Sequence, residues 1–201
     1  LLERFQHRII ANPDLDRRLV SYQADKTTPF YRWFKYREGF TAQLVAYLLT
    51  QVHPQPERLL DPFAGAGTAL FAASALGWET LGIEVLPVGV YAAQARSAAQ
   101  HVDPALFAAT VQQLRGVDFA EHDDSRYALA HVPITQGAFP PDTEHQLVGY
   151  IAYCATHIPP GAVQTLLRFA GFCILEDISY TRKDGQYLRW DARSGRSQGS
   201  K

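Results

Sequence analysis

No stretch of about 18 consecutive apolar residues occurs in the chain, so no membrane-spanning helix is expected. The N-terminus lacks a charged region followed by an apolar stretch, which leaves no secretory signal and makes the cytoplasm the expected compartment. Cysteine is scarce. Cys154 and Cys173 lie far apart, with no second pair and no clustered histidines, a pattern that argues against a zinc site and a disulfide framework and reads as two buried thiols. His122, His131, His145 and His157 are not at metal-ligand spacing either, and no metal is expected. A dominant charge is also missing: the net charge of -1 gives no global sign of a polyanionic partner. Internal repeats and low-complexity tracts are absent.

What is present suffices for a folded domain. With 201 residues and 47% hydrophobic content, the chain can bury a core and still hold a small appended module. Its charges are unevenly spread. Residues 181–201 carry Arg182, Lys183, Arg189, Arg193, Arg196 and Lys201 against Asp184 and Asp191, a local positive patch on an otherwise neutral chain. The chain opens on Leu1 without an initiator methionine and ends on the polar run Ser197-Gln198-Gly199-Ser200-Lys201, so it is expected to be a piece of a longer protein.

The opening stretch to about Val20 is mixed and expected to be helical; Thr27-Thr28-Pro29 interrupts any helix, because the residue before proline disfavours helical backbone. An aromatic and basic segment, Phe30 to Phe40, leads to Thr41, which can cap a helix whose apolar residues Leu44, Val45, Leu48, Leu49 and Val52 share one face. Pro54 and Pro56 stop it. Arg58-Leu59-Leu60-Asp61 predicts a short buried strand, Thr68 to Leu76 an alanine-rich helix closed by Gly77, Glu79 to Val85 a second strand, and Leu86 to Ala99 a second helix. That alternation implies a parallel, doubly wound sheet. Beyond Asp103-Pro104, a helix start, further helices are expected at 104–115, 143–157 and 160–172. A hairpin is expected from strands 178–182 and 186–190, with Asp184-Gly185 supplying the positive backbone angles of a tight turn.

The chemistry concentrates in Asp61-Pro62-Phe63-Ala64-Gly65-Ala66-Gly67-Thr68. A loop between a buried strand and a helix approaches a ligand closely only if side chains are out of the way, which Gly65 and Gly67 permit. Glu84, at the end of the next strand, stands where an acid accepts hydrogen bonds from both ribose hydroxyls of a nucleoside cofactor. Nicotinamide or flavin dinucleotides and S-adenosylmethionine both fit that description, and three details separate them. A dinucleotide fingerprint wants a third glycine or alanine where Leu70 stands. Asp61, just before the turn, would repel a pyrophosphate but suits a methionine ammonium. The aromatic segment and capped helix ahead of the strand have no place in the usual dinucleotide layout.

The turn, with Gly82-Ile83-Glu84 downstream and Lys35-Tyr36-Arg37-Glu38-Gly39-Phe40-Thr41 upstream, resembles the cofactor half of the amino-group DNA methyltransferases over roughly residues 27–100. The resemblance implies an α/β, Rossmann-like S-adenosylmethionine-dependent methyltransferase fold with a partial parallel sheet, to which the chain adds a helical insertion and a C-terminal β-hairpin. It implies cofactor contacts from Tyr36, Glu38, Gly39, Phe40 and Thr41, where the following helix N-terminus closes over the methionine carboxylate. Asp61, Phe63, Ala64, Gly65, Ala66, Gly67 and Thr68 would hold the methionine part, Glu84 the ribose, and Val85 the adenine. The expected divisions are 1–102 for this half, 103–174 for a helical region, and 175–201 for the basic hairpin.

Such enzymes transfer the methyl group to an exocyclic amine of adenine or cytosine in flipped-out double-stranded DNA, within modification or restriction-modification systems. They do so with Asp, Asn or Ser followed by two prolines and an aromatic. That motif is not in the chain: Phe139-Pro140-Pro141-Asp142 and Ile158-Pro159-Pro160-Gly161 lack both the polar residue and the aromatic, and read as helix boundaries. No catalytic residue can therefore be named. The remainder of a parent polypeptide or a partner subunit is expected to supply the motif, and the chain alone to bind cofactor weakly and transfer nothing. Arg182, Lys183, Arg189 and Arg193, interleaved with Tyr180, Tyr187 and Trp190, suit phosphate contact and base stacking. A methyltransferase acting on RNA or a small molecule, and a non-catalytic nucleic-acid-binding subunit with a degenerate fold, are the alternatives.

Overall fold

Thr41 starts the first helix as its chemistry requires. In the computed structural model, which describes residues 12–17, 19–21, 25, 27–34, 39–184 and 187–191, its buried side chain accepts from the Leu44 N–H at 3.1 Å and donates to the Leu19 carbonyl at 2.5 Å. Helix α1, Ala42–Val52, follows. The chain divides into two units, Leu1–Ala93 and Gln94–Lys201.

In the first unit, α1 leads to strand β1, Arg58–Asp61, helix α2, Thr68–Ser74, strand β2, Glu79–Gly82, and helix α3, Pro87–Ala99, whose first turns belong here. β1 and β2 pair in parallel, Leu60 against Leu81 and Asp61 against Gly82. A cluster of Val45, Ala69 and Ala72, flanked by Ala42, Leu49 and Leu59, joins α1 and α2 to β1. The apolar face expected of α1 is thus narrower than its sequence suggests: Leu48 and Val52 are exposed, because the cluster takes only Ala42, Val45 and Leu49, one residue per turn. The expected burial of β1 holds for one face only. Leu59 packs inward, whereas its neighbour Leu60 and the paired Leu81 are 59% and 65% exposed, since successive strand residues face opposite ways.

β2 stops at Gly82 rather than reaching Val85. Its partner turns away after Asp61, and the last bonds run from Ile83 N to Asp61 O and from Ala64 N to Ile83 O, both 2.9 Å. Ile83 and Glu84 therefore lie against the glycine turn. Gly77, at φ 87°, closes α2 as expected.

In the second unit, Asp103 caps α4, Pro104–Leu114, accepting from the Ala105 N–H at 2.8 Å. Helix α5, Pro141–His157, begins two residues earlier than expected because Pro141 takes the first helical position, where a missing N–H costs nothing. Helix α6, Ala162–Cys173, follows Pro159-Pro160-Gly161, so both proline pairs are helix boundaries. Cys154, Ile158 and Leu167 form the buried cluster here, with Phe107, Val111, Leu114, Tyr150, Tyr153 and Val163 around it. Gly149 lets α5 approach the 3-10 turn Phe119–His122 so closely that a Cβ there would lie 1.8 Å from the Phe119 carbonyl oxygen.

The expected strand from Ile178 is displaced. Leu175–Ile178 forms a helical turn, α7, and the Ser179 hydroxyl donates to the Thr181 carbonyl at 2.9 Å before β3, Thr181–Asp184, begins. β3 pairs antiparallel with β4, Tyr187–Trp190. Asp184 is opposite Tyr187, so β3 runs two residues past the expected strand end at Arg182; Gly185 of the expected turn lies outside the described residues, as does most of the expected N-terminal helix. Cys154 is buried but Cys173 is only half-buried, which corrects the expectation of two buried thiols. Partial burial still pushes the Cys173 thiol up to about 11, against the pull of Arg96.

Candidate functional site

Asp61 ends β1, and its Oδ1 accepts from the Phe63 N–H at 3.0 Å, folding the chain back on itself. Gly65 at φ 52° and Gly67 at φ 83° then take left-handed backbone that side chains disfavour. Gly67 caps α2, and its N–H donates to the Ala64 carbonyl at 2.7 Å. A Cβ on Gly67 would meet the Phe71 ring at 2.8 Å. Ala64 to Gly67 are buried, while Phe63 and Val85 are 89% and 86% exposed.

Glu84 joins the two loops. Its Oε2 accepts from the Gly65 N–H and its Oε1 from the Leu86 N–H, each at 2.7 Å. Donation from Leu86, joined by Gly65 and Val85, outweighs partial burial and holds the carboxyl below the usual glutamate range. An ionised carboxylate has about four acceptor positions, so one remains beyond those its backbone donors take and can meet a neighbouring hydroxyl.

Two further glycines shape this region. Leu70 occupies the place of a third fingerprint glycine, and Gly82 on β2 provides the matching gap: a Cβ there would lie 2.5 Å from Leu70 Cδ1 and 2.9 Å from Ala64 Cβ. Close helix-to-strand packing is thus achieved with the glycine on the strand. Gly89, in the first turn of α3, lies against Glu84 and the Gly65 carbonyl. The sequence alone does not single out Gly89, although a glycine inside a helix, costing about 1 kcal/mol relative to alanine, is a sign of close approach.

The upstream segment is partly described. Tyr36 and Glu38 lie outside the described residues; Gly39 is half-buried and Phe40 exposed. Thr41 is brought beside the turn's own helix through the α1–α2 cluster. The α1 N-terminus is partly engaged: the Ala42 N–H donates to the buried Asp25 carboxylate at 3.2 Å and the Leu44 N–H to Thr41. No local pattern marks Asp25 in the sequence. Phe30, at φ 75°, packs its ring edge-on against Phe71 at 5.3 Å, which makes it part of the support beneath Gly67.

In the hairpin, Arg182 stands directly opposite Arg189, and both are exposed, as is Tyr187. Lys183 takes the alternate register position, opposite Leu188. Arg193 lies outside the described residues. The histidines pair locally: His131 Nε2 lies 2.7 Å from Glu144, His145 Nδ1 lies 2.7 Å from Asp123, and His157 stacks on Tyr153 with ring centres 4.4 Å apart. Among the described residues, no three His, Cys, Asp or Glu side chains come together to hold a metal, and no helix is long and apolar enough to cross a membrane.

No family model and no solved structure matches the chain. Curated proteins do. It is 43% identical over 202 residues to Type II methyltransferase M.AvaI of Nostoc sp. (strain PCC 7120 / SAG 25.82 / UTEX 2576), and equally to the protein of that name from Anabaena variabilis; all of this chain and 41% of each relative are covered. It is 34% identical over 197 residues to Type II methyltransferase M.BsoBI of Geobacillus stearothermophilus, covering 96% of this chain and 37% of the relative. The chain therefore spans about two fifths of the length of these relatives. Over effectively its whole length it is homologous to the type II methyltransferases, in agreement with the resemblance carried by its glycine turn.

Proposed function

We propose that this chain is the S-adenosylmethionine-binding part of a DNA methyltransferase that acts on an exocyclic amine of adenine or cytosine, in a cytoplasmic modification or restriction-modification system. The observation that carries the reading is Glu84, an ionised acceptor held against the buried Gly65-Ala66-Gly67 turn by two backbone N–H groups. The parallel β1–α2–β2 unit supports a Rossmann-like fold, in which ligands lie beyond the carboxyl ends of the strands. End-to-end similarity to type II methyltransferases supports the reaction class.

The residues present fit the cofactor. Asp61, at the strand end, would meet the methionine ammonium; its Oδ2 has no partner among the described residues. Gly65 and Gly67 leave backbone rather than side chains facing a ligand. Glu84 would accept from the ribose hydroxyls, and the exposed Val85 would cover the adenine. Thr41, Phe40 and the start of α1 would lie along the methionine carboxylate, with Asp25 already taking one of the helix's N–H groups. When bound, the cofactor supplies an activated methyl group. This chain's residues hold and orient it, while the amine-binding motif would come from the remaining portion of a longer protein or from a partner, and Arg182, Lys183, Arg189 and Arg193 would contact DNA phosphates.

Thermal unfolding with saturating ligand tests the cofactor class. S-adenosylhomocysteine is expected to raise the midpoint through mass action, while NAD leaves it unchanged. A rise with NAD alone would move the site to the dinucleotide class.

A further inference from the structure

We infer that Gly89 is a positioning residue of this site: its lack of a side chain sets how closely the Glu84 carboxylate and the Gly65 peptide meet, and so whether Glu84 is aimed at a ribose. The inference rests on the cofactor reading above. A Cβ at position 89 would lie 2.9 Å from Glu84 Cγ, 3.2 Å from Glu84 Cδ and 2.9 Å from the Gly65 carbonyl oxygen. These are the two groups whose contact builds the site, because the Gly65 N–H donates to Glu84 Oε2 at 2.7 Å. Gly65 O is backbone in a buried turn that is also tied through Ala64 N to Ile83 O, so it cannot swing aside as a side-chain tip can. Leu86 N, at the start of the same helical segment, donates to the other Glu84 oxygen. Gly89 thus bears on both partners of the clasp at once.

Its backbone does not call for glycine, since its φ is not among the positive values found at Gly65, Gly67 and Gly77. In a helix, alanine is the preferred residue, so local propensity argues against glycine here. Close approach remains as the reason for it. An alanine would push Glu84 and the Gly65 turn apart without removing either.

The test is calorimetric titration of the chain and its Gly89→Ala variant with S-adenosylhomocysteine and with its 2′,3′-dideoxy analogue, which lacks both hydroxyls that Glu84 would accept from. Gly89→Ala is expected to weaken the first by about tenfold or more and the second by no more than about twofold, a coupling that a purely structural role would not produce. Equal affinity of variant and parent for S-adenosylhomocysteine, or equal losses for both ligands, overturns the inference and leaves the cofactor reading intact. No binding of S-adenosylhomocysteine by the unsubstituted chain removes both. Should Gly89→Ala alone fail to fold, the double variant Glu84→Ala/Gly89→Ala decides. It clears the clash with the Glu84 side chain and leaves the 2.9 Å approach to the Gly65 carbonyl oxygen, so recovery of a cooperative melt identifies Glu84 as the group that position 89 must accommodate and supports the inference, and its absence refutes it.

Discussion

Glu84 ties the glycine turn to the segment that follows β2. The backbone N–H groups that donate to it fix the geometry of the turn, and they also hold the carboxyl below the usual glutamate range. A carboxyl whose folded-state pKa is depressed contributes stability fully above its unfolded value, about 4.3, and loses that contribution as pH falls through the lower folded value. The melting temperature of the parent chain should therefore exceed that of Glu84→Gln by a constant margin between about pH 6 and pH 8, narrowing only in the acid range below about 4.3. A margin that disappears already between pH 7 and pH 6 would contradict a depressed pKa. At this scale the sequence was informative where chemistry is local. Asp61, Gly65, Gly67 and Glu84 stand out by type and order. Gly82 stands out only as part of the stretch Gly82-Ile83-Glu84, without its packing role, and Gly89 and Asp25 do not, because their importance lies in neighbours distant along the chain: Leu70 and Ala64 for Gly82, Glu84 and Gly65 for Gly89, and Ala42 for Asp25.

Elements were legible where their ends carry their own signals. Thr41 and Asp103 cap the helices they precede, Gly77 closes α2, and the proline pairs mark the approaches to α5 and α6. Ends set by a partner were not. β2 is shorter than its β-prone residues suggest because β1 turns away, and β3 runs past the expected end at Arg182 because Lys183 and Asp184 pair with Leu188 and Tyr187. That register gives the hairpin its functional prediction. It puts Arg182 and Arg189 directly across from each other, both exposed, which suits contact with a phosphate. Duplex DNA binding by the chain, followed by fluorescence anisotropy across a salt series, should weaken in Arg182→Ala. The slope of log affinity against log salt should become shallower by about 0.9 for each phosphate that the side chain had neutralised. An unchanged slope would remove Arg182 from the residues proposed to contact DNA.

On the scale of the whole molecule, a unit proposed to hold the cofactor is joined in one chain to a helical, hairpin-bearing unit, and the sequence contains no amine-binding motif. The relatives are more than twice as long, which leaves room elsewhere in such proteins for that motif. Leu60 and Leu81, paired and exposed on one face of β1 and β2, were unreadable as exposed from sequence, since an apolar strand residue carries no mark of whether anything covers it. The glycine turn and Glu84 are proposed to bind S-adenosylmethionine through its ribose. Isothermal titration of the chain with S-adenosylhomocysteine, beside Glu84→Ala, tests it most directly. Saturable binding at one site per chain is predicted, with affinity falling by about tenfold or more in Glu84→Ala, as expected when a charged hydrogen-bond acceptor is removed from a ligand's hydroxyls. No heat of binding from a chain that melts cooperatively, or equal affinity in Glu84→Ala, would contradict it.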